Sequence, residues 1–339
     1  MSTQNKKYFF NHDFFASLRY NGESVFKKEE TMENKKAFGH VIAIFTIFIW
    51  GTTFISTKIL LRAFQPVEIL FFRFVMGFIL LWIMNPHRLP FKSWKQELTF
   101  AGAGLTGMTM YYLMENIALT YSQASNVGVI VSIAPVFTAI TARIFLKEEG
   151  KLQPAFFIGC VIALIGISLI SFSGTTMHLN PIGDILSVGA AMVWSFYAVL
   201  SKKMGAFGYS VIQTTRRTFF YGILFMIPAL YFFDFKWDLY RFSKPEYIFN
   251  IFYLGLGASA ICFVTWNLAV RILGAIKTSV YIYLAPVVTA VASVIVLHEK
   301  ITFLSGLGIV LVLGGLLLSE QKKKLFPIGG RKHTENVVE

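Results

Sequence analysis

Hydrophobic residues in this chain come in long blocks with short polar interruptions, not at the spacing of an amphipathic surface helix. Ten blocks stand out, at about 41–61, 67–85, 98–119, 124–146, 154–173, 182–201, 211–233, 247–270, 276–297 and 302–319. Each approaches the roughly 20 mostly apolar residues that a helix needs to cross a bilayer core. The interruptions carry turn and charge signals, as in NPHRLPFKSWK (85–95), SGTTMHLNP (173–181) and FDFKWDLYRFSKPE (233–246). The expected fold is an all-α integral membrane protein with ten transmembrane helices.

Composition sharpens this reading, because 55% of the 339 residues are hydrophobic and only 14% are charged. Little is left to build a soluble domain. Cys160 and Cys262 lie in different blocks without metal-ligand spacing, so they read as small apolar fillers, and no cofactor or metal is implied. The net charge of +13 would suggest nucleic acid in a soluble chain. Here the basic residues are spread over loops rather than interleaved with aromatics on one face, so no nucleic-acid partner is expected. They are instead richer on one side of the membrane: Arg88, Lys92 and Lys95, Lys202 and Lys203, and the Lys322–Lys324 run fall on the side of both termini. That bias places both termini in the cytoplasm and the protein in the cytoplasmic membrane.

Residues 1–37 read as a disordered tail, polar and without a signal-peptide pattern. Met32 is the expected biological start, since the preceding Lys-Glu-Glu run can be encoded by a purine-rich ribosome-binding sequence. Residues 321–339 form a basic cytoplasmic tail.

Self-similarity is the most informative feature. Aligning IWGTTFISTKILLRAFQPVEILFFRF (49–74) with VWSFYAVLSKKMGAFGYSVIQTTRRT (193–218) puts Trp50 on Trp194, Lys58 on Lys202 and Arg73 on Arg217, at an offset of 144. A second pair, residues 115–149 against 266–300, puts Asn116 on Asn267, Pro135 on Pro286 and Glu148 on Glu299, at an offset of 151. The chain is expected to be a duplicated five-helix unit, residues 38–173 and 174–320. Five is odd, so the second copy must run inverted through the membrane. Inverted repeats recur in secondary transporters, whose substrate site lies near the midplane where interrupted helices from both halves meet. Pro135 and Pro286 then have a common reading: each displaces a carbonyl, of Val131 and Ile282, towards a central cavity where water or substrate satisfies it.

WGTTFISTK, the paired N-x-A segments, SIAPVFTA with LAPVVTA, and the closing LKEE and LHEK resemble the EamA family of the drug/metabolite transporter superfamily, over residues 38–320. The resemblance implies a carrier with alternating access that moves a small metabolite or amino-acid-like solute, often outward. Lys277, where the first half has Asn126, departs from the pattern.

Ionisable residues inside a bilayer are costly and point to function. Arg73 and Arg217 would hold a substrate carboxylate bidentately if functional; if structural, they would snorkel or pair with a neighbouring carboxylate or helix carbonyls. Glu115, in YYLMENIALTY, has Trp266 as its repeat partner, so symmetry does not require a carboxylate there. Desolvation favours the neutral form of such a group and a nearby cation the charged form; a carboxylate balanced between them can carry a coupling proton. A permanent pair with Arg73 is the structural alternative. Trp50, Trp194, Tyr197, Trp266, Tyr281 and Tyr283 are the aromatics expected near the cavity. The candidate substrate-binding set is Trp50, Arg73, Glu115, Asn116, Ser132, Pro135, Trp194, Tyr197, Arg217, Trp266, Asn267, Tyr283 and Pro286. Asp184, with Asn180 and Pro181, reads as a helix start, and Glu148 and Glu299 as span boundaries. Glycines 159, 166, 306, 308, 314 and 315 read as close-packing or homodimer seams.

A membrane enzyme or a flippase acting on a lipid-linked substrate is the rival class. Such an enzyme needs clustered acids, a His and acid pair, or a nucleophile with its base. The six histidines are scattered over tails and loop edges, which disfavours it. Selectivity loops and rings of charge that would suggest a channel are also missing.

Overall fold

The computed structural model describes residues 32–122, 124–146, 153–172, 180–233, 235–297 and 303–320. Among them the chain is helical, with no strand. The first half comprises α1 (Met32–Leu60), α2 (Pro66–Met84), α3 (Trp94–Gly104), a π-helical segment (Leu105–Met110), α4 (Tyr111–Tyr121), α5 (Ala124–Val131), α6 (Ala134–Phe145) and α7 (Pro154–Phe172). The second comprises α8 (Pro181–Gly205), α9 (Val211–Phe232), a 3₁₀ turn (Leu239–Ser243), α10 (Pro245–Phe252), a π-helical segment (Tyr253–Ile261), α11 (Cys262–Leu273), α12 (Ala275–Val280), a 3₁₀ turn (Tyr281–Tyr283), α13 (Leu284–Leu297) and α14 (Phe303–Glu320).

Among the described residues, five helices are long and apolar enough to cross a membrane: Asn34–Leu60, Pro66–Met84, Val127–Phe145, Pro181–Gly205 and Pro245–Leu273. Three shorter apolar helices are Pro154–Leu169, Ala275–Val288 and Gly306–Ser319. The remaining sequence blocks, 98–119 and 211–233, are helical but fall outside both groups. Helix α1 already begins at Met32, inside the segment expected to be tail. Residues 1–31, Glu148, Glu299 and the basic C-terminal tail lie outside the described residues.

Local chemistry accounts for the starts. Asn180 caps α8 by accepting from the backbone N–H groups of Ile182 (3.1 Å) and Gly183 (3.3 Å), with Pro181 in the first turn. Ser93 caps α3 through the Gln96 N–H. Gly274, at φ +93°, makes the turn from α11 into α12 that a residue with a Cβ adopts only under strain.

The packing crosses between the halves in a reciprocal way. Helix α1 packs on α11 and α13 of the second half, and α8 packs on α4 and α6 of the first. Helices α2 and α9 meet each other, α2 also touching the second π segment and α9 the first. The closing helices α7 and α14 pack mainly on one another. Their seam is made by small residues: a Cβ on Gly159 would lie 2.5 Å from the Gly315 carbonyl, and one on Gly166 2.6 Å from the Gly308 carbonyl. Gly306 and Gly314 meet nothing within 4 Å, so they are not part of this seam.

The chain breaks at equivalent places in the two halves. The π segments fall in corresponding positions, and so do the interruptions between α5 and α6 and between α12 and α13. Pro135 sits in the first turn of α6 and Pro286 near the start of α13. Each proline stands in the first turn after a break, where a missing N–H costs little.

Candidate functional site

A cavity of about 550 Å³, its open mouth included, lies between α1, α4, α5, α6, α8 and the α12–α13 break. Five aromatic rings stand in its wall: Trp50 and Phe54 from α1, Tyr111 and Tyr112 from α4, and Trp194 from α8. Thr53 and Ser132 add hydroxyls, and Glu115 is the one ionisable carboxylate among the lining residues. Val131 and Ile282, the residues paired by the proline argument, both line it.

The π segments explain how the rings are held. In the second, the Cys262 N–H reaches back to Gly257, and the Ala258 carbonyl accepts the Trp50 indole N–H at 2.9 Å. Trp50 then meets Trp194 edge-on at 5.4 Å and Trp266 at 5.1 Å, while Tyr111 packs on Trp194 at 4.8 Å. The Trp194 and Trp266 indole nitrogens are buried with no hydrogen-bond partner among the described residues. In the first π segment Gly107 lets α8 come close, since a Cβ there would lie 2.2 Å from the Tyr197 ring.

Glu115 is 4% exposed, with the Tyr111 hydroxyl and the Arg73 guanidinium as its polar neighbours. Arg73 is fully buried on α2. Its Nε donates to Ser259 Oγ at 3.0 Å, and its guanidinium lies 4.3 Å over the Tyr112 ring. Arg73 and Glu115 are not within ion-pair distance, so a permanent direct pair, the structural alternative for Glu115, is not what holds them.

Of the other residues singled out from sequence, the structure brings Ser132 to the cavity wall, with its hydroxyl donating to the Gly128 carbonyl at 2.6 Å. It places Pro135 and Pro286 just behind, in the first turns of their helices. Tyr197 and Asn267 are tied into a sealed network: the Tyr197 and Ser201 hydroxyls donate to Asn267 Oδ1 at 2.7 and 2.6 Å, and Asn267 Nδ2 donates to Thr215 at 3.0 Å. Trp266 fills the space beside them, fully buried. Asn116 donates to the Pro66 carbonyl at 3.3 Å, and its Oδ1 has no partner among the described residues. Tyr283 is buried beside Cys160, and Tyr281 is hydrogen-bonded to His40; neither lines the cavity.

Arg217 is away from the cavity, held bidentately by Glu97 at 2.9 and 3.1 Å, with the Tyr221 hydroxyl donating to the same carboxylate at 2.5 Å. Its structural reading is the one the geometry supports. Arg216 closes the end of α2 through the carbonyls of Asn85 and His87. Lys58 does the same for α4 through Leu119 (2.6 Å) and Ser122 (3.2 Å). Lys277 is exposed and does not line the cavity.

Sequence reasoning missed Tyr111, Tyr112 and Thr53 as wall residues. It also missed two buried carboxylates: Glu97, and Glu68, which Arg241 grips at 2.9 and 3.0 Å. Both stand in the first turn of a helix, at the edge of a block, so helix position marks them as boundary residues. What buries them is their arginine partner from the other half.

Comparison with known proteins agrees with this architecture. A family model for EamA-like transporters matches residues 37–172 and again 181–320. An uncharacterized transporter of Archaeoglobus fulgidus is 28% identical, covering 84% of this chain and 98% of its own length. The uncharacterized transporter YvbV of Bacillus subtilis is 25% identical over 84% of this chain and 92% of its own. A protein of Streptantibioticus cattleyicolor named "probable terminal-alkyne amino-acid exporter" is 27% identical over 65% and 71%. A crystal structure at 19% identity superposes with a TM-score of 0.68, over 84% of this chain and 98% of its own, a likeness of fold. These named relatives are transporters, not enzymes. With the apolar helices, they make this a multi-pass membrane protein.

Proposed function

The chain belongs to the EamA-like transporter family, and from that premise we propose that it is a secondary carrier exporting a small amino-acid-like solute across the cytoplasmic membrane. It works by alternating access between two inverted five-helix halves, ten spans in all, with both termini in the cytoplasm. The observation that carries this reading is the cavity itself: an aromatic chamber between helices of both halves, with a single carboxylate on its wall. Rings of this kind pack the apolar body of a small solute, and the polar groups set its orientation. The reciprocal packing and the paired helix breaks support the rocking of one half against the other. The amino-acid exporter among the relatives supports the solute class and the direction.

Glu115 is the coupling residue in this reading. It faces Tyr111, Tyr112 and Arg73 in a wall otherwise free of charge, so its protonation state depends on whether the cavity is wet or closed. Purified protein in liposomes tests both statements. Counterflow exchange with a panel of labelled metabolites is expected to saturate, whereas a channel would give unsaturable flux. Glu115→Gln is expected to keep exchange and lose accumulation driven by a pH gradient. Wild-type yield together with wild-type pH-driven accumulation in that variant would remove Glu115 from the mechanism.

A further inference from the structure

Arg73 and Arg217 occupy equivalent positions in the two halves, at the offset of 144, and the structure treats them differently. Arg217 has a carboxylate in its fork, Glu97, at 2.9 and 3.1 Å. At the position equivalent to Glu97, using the offset of 151, the second half has Ile248. Arg73 accordingly has no carboxylate partner. Its Nε is taken by Ser259, and among the described residues neither Nη1 nor Nη2 has a hydrogen-bond partner, although the side chain is fully buried.

A buried guanidinium whose two terminal nitrogens lack acceptors is costly, and a fold retains one where something supplies the acceptor in another state. Two features say where that acceptor comes from. The Tyr112 ring on which Arg73 stacks is itself part of the cavity wall. Glu115, on the next turn of α4, stands near the guanidinium without occupying the fork. We infer that Arg73 is a carboxylate subsite: when Tyr112 turns aside, Nη1 and Nη2 take the carboxylate of a zwitterionic solute while Glu115 takes its ammonium. The fork is the geometry that Arg217 already shows with Glu97, with the substrate in place of the missing side chain. Ser259 fixes the guanidinium plane through Nε. The body of the solute then lies against the Trp50 and Trp194 rings.

This inference rests on the carrier reading above but fails separately from it. Wild-type protein in detergent is titrated with proteinogenic amino acids in matched trios: the amino acid, the amine lacking its carboxylate, and the acid lacking its amine. Binding is read by calorimetry and by the shift in thermal midpoint. At least one amino acid is expected to bind roughly 10-fold or more tightly than both of its counterparts, the amount a charge-assisted pair supplies. Arg73→Gln is expected to abolish the preference for the amino acid over the amine, and Arg73→Lys to restore part of it. Amines that bind as well as their amino acids, no binding by any zwitterion, or an unchanged preference in Arg73→Gln would each overturn the assignment. Should Arg73→Gln not fold, the wild-type trios decide alone. Counterflow of a solute that has no carboxylate would leave the carrier standing and the Arg73 subsite refuted; binding of zwitterions without any exchange would do the reverse.

Discussion

Asn116 and Asn267 hold equivalent places in the two halves, yet their surroundings are opposites. Asn267 is saturated by Tyr197, Ser201 and Thr215, and Trp266 fills the space next to it. Asn116 has one long bond to Pro66 and an unused Oδ1, and Glu115 stands next to it on a cavity wall. The same contrast runs through the neighbours. Tyr197 corresponds to Thr53, Trp266 to Glu115, Ser279 to Gly128 and Tyr283 to Ser132. At each pair the cavity side has the smaller or more polar residue. Two copies of one frame thus differ because side-chain volume fills one interior and leaves the other open. Under the proposed mechanism, the sealed side is also the pattern the cavity side approaches when it closes, with Asn116 Oδ1 meeting the hydroxyls of Thr53 and Thr57.

Substitutions at matched positions test how deep the difference goes, with thermal midpoints in one detergent as the common measure. Asn267→Ala is expected to have the largest effect, about 3 kcal/mol of destabilisation, because three buried hydroxyls lose their partner at once. Arg217→Gln follows at about 2 kcal/mol: it leaves Glu97 buried with Tyr221 alone, but Arg217 is part-exposed and water softens the loss. Its counterpart Arg73→Gln is expected to be near neutral, since no ion pair is lost and only the Ser259 bond goes, and a large loss there would mean that Arg73 has an ionic partner. Pro135→Ala is expected to cost about 0.5 kcal/mol at most, because the proline sits in a first turn and mainly restricts the unfolded chain. Asn116→Ala is expected to be near neutral as well. If it matched Asn267→Ala, the asymmetry between the two sides would be broken.

The blocks, the duplication and the cavity tryptophans were legible because each leaves a one-dimensional trace: a run of about 20 apolar residues, a repeated offset, a repeated residue. Trp50, Trp194, Glu115 and Ser132 lie where a linear reading expects a site. Arg217 shows the limit of that reading. It and Arg73 are indistinguishable in sequence, and only Glu97, more than a hundred residues away, separates a structural cation from an unpartnered one. Tyr111 and Tyr112 flank Glu115, but their facing depends on the π segment that precedes them, and such a bulge follows from packing more than from local propensity. The prolines show the same limit, since a Pro in an apolar run does not say whether the helix bends through it or ends and restarts.

By itself, then, the sequence determined that this chain is helical, apolar enough for a membrane and built twice from one plan, because hydropathy and repetition are sums over local residues and need no partner. The tertiary structure alone decided which of two equivalent arginines is satisfied, which of two equivalent asparagines is sealed, and on which side the cavity lies. Those outcomes depend on contacts between residues far apart in the chain, where one carboxylate or one ring changes the energy of a buried group by more than any local preference does.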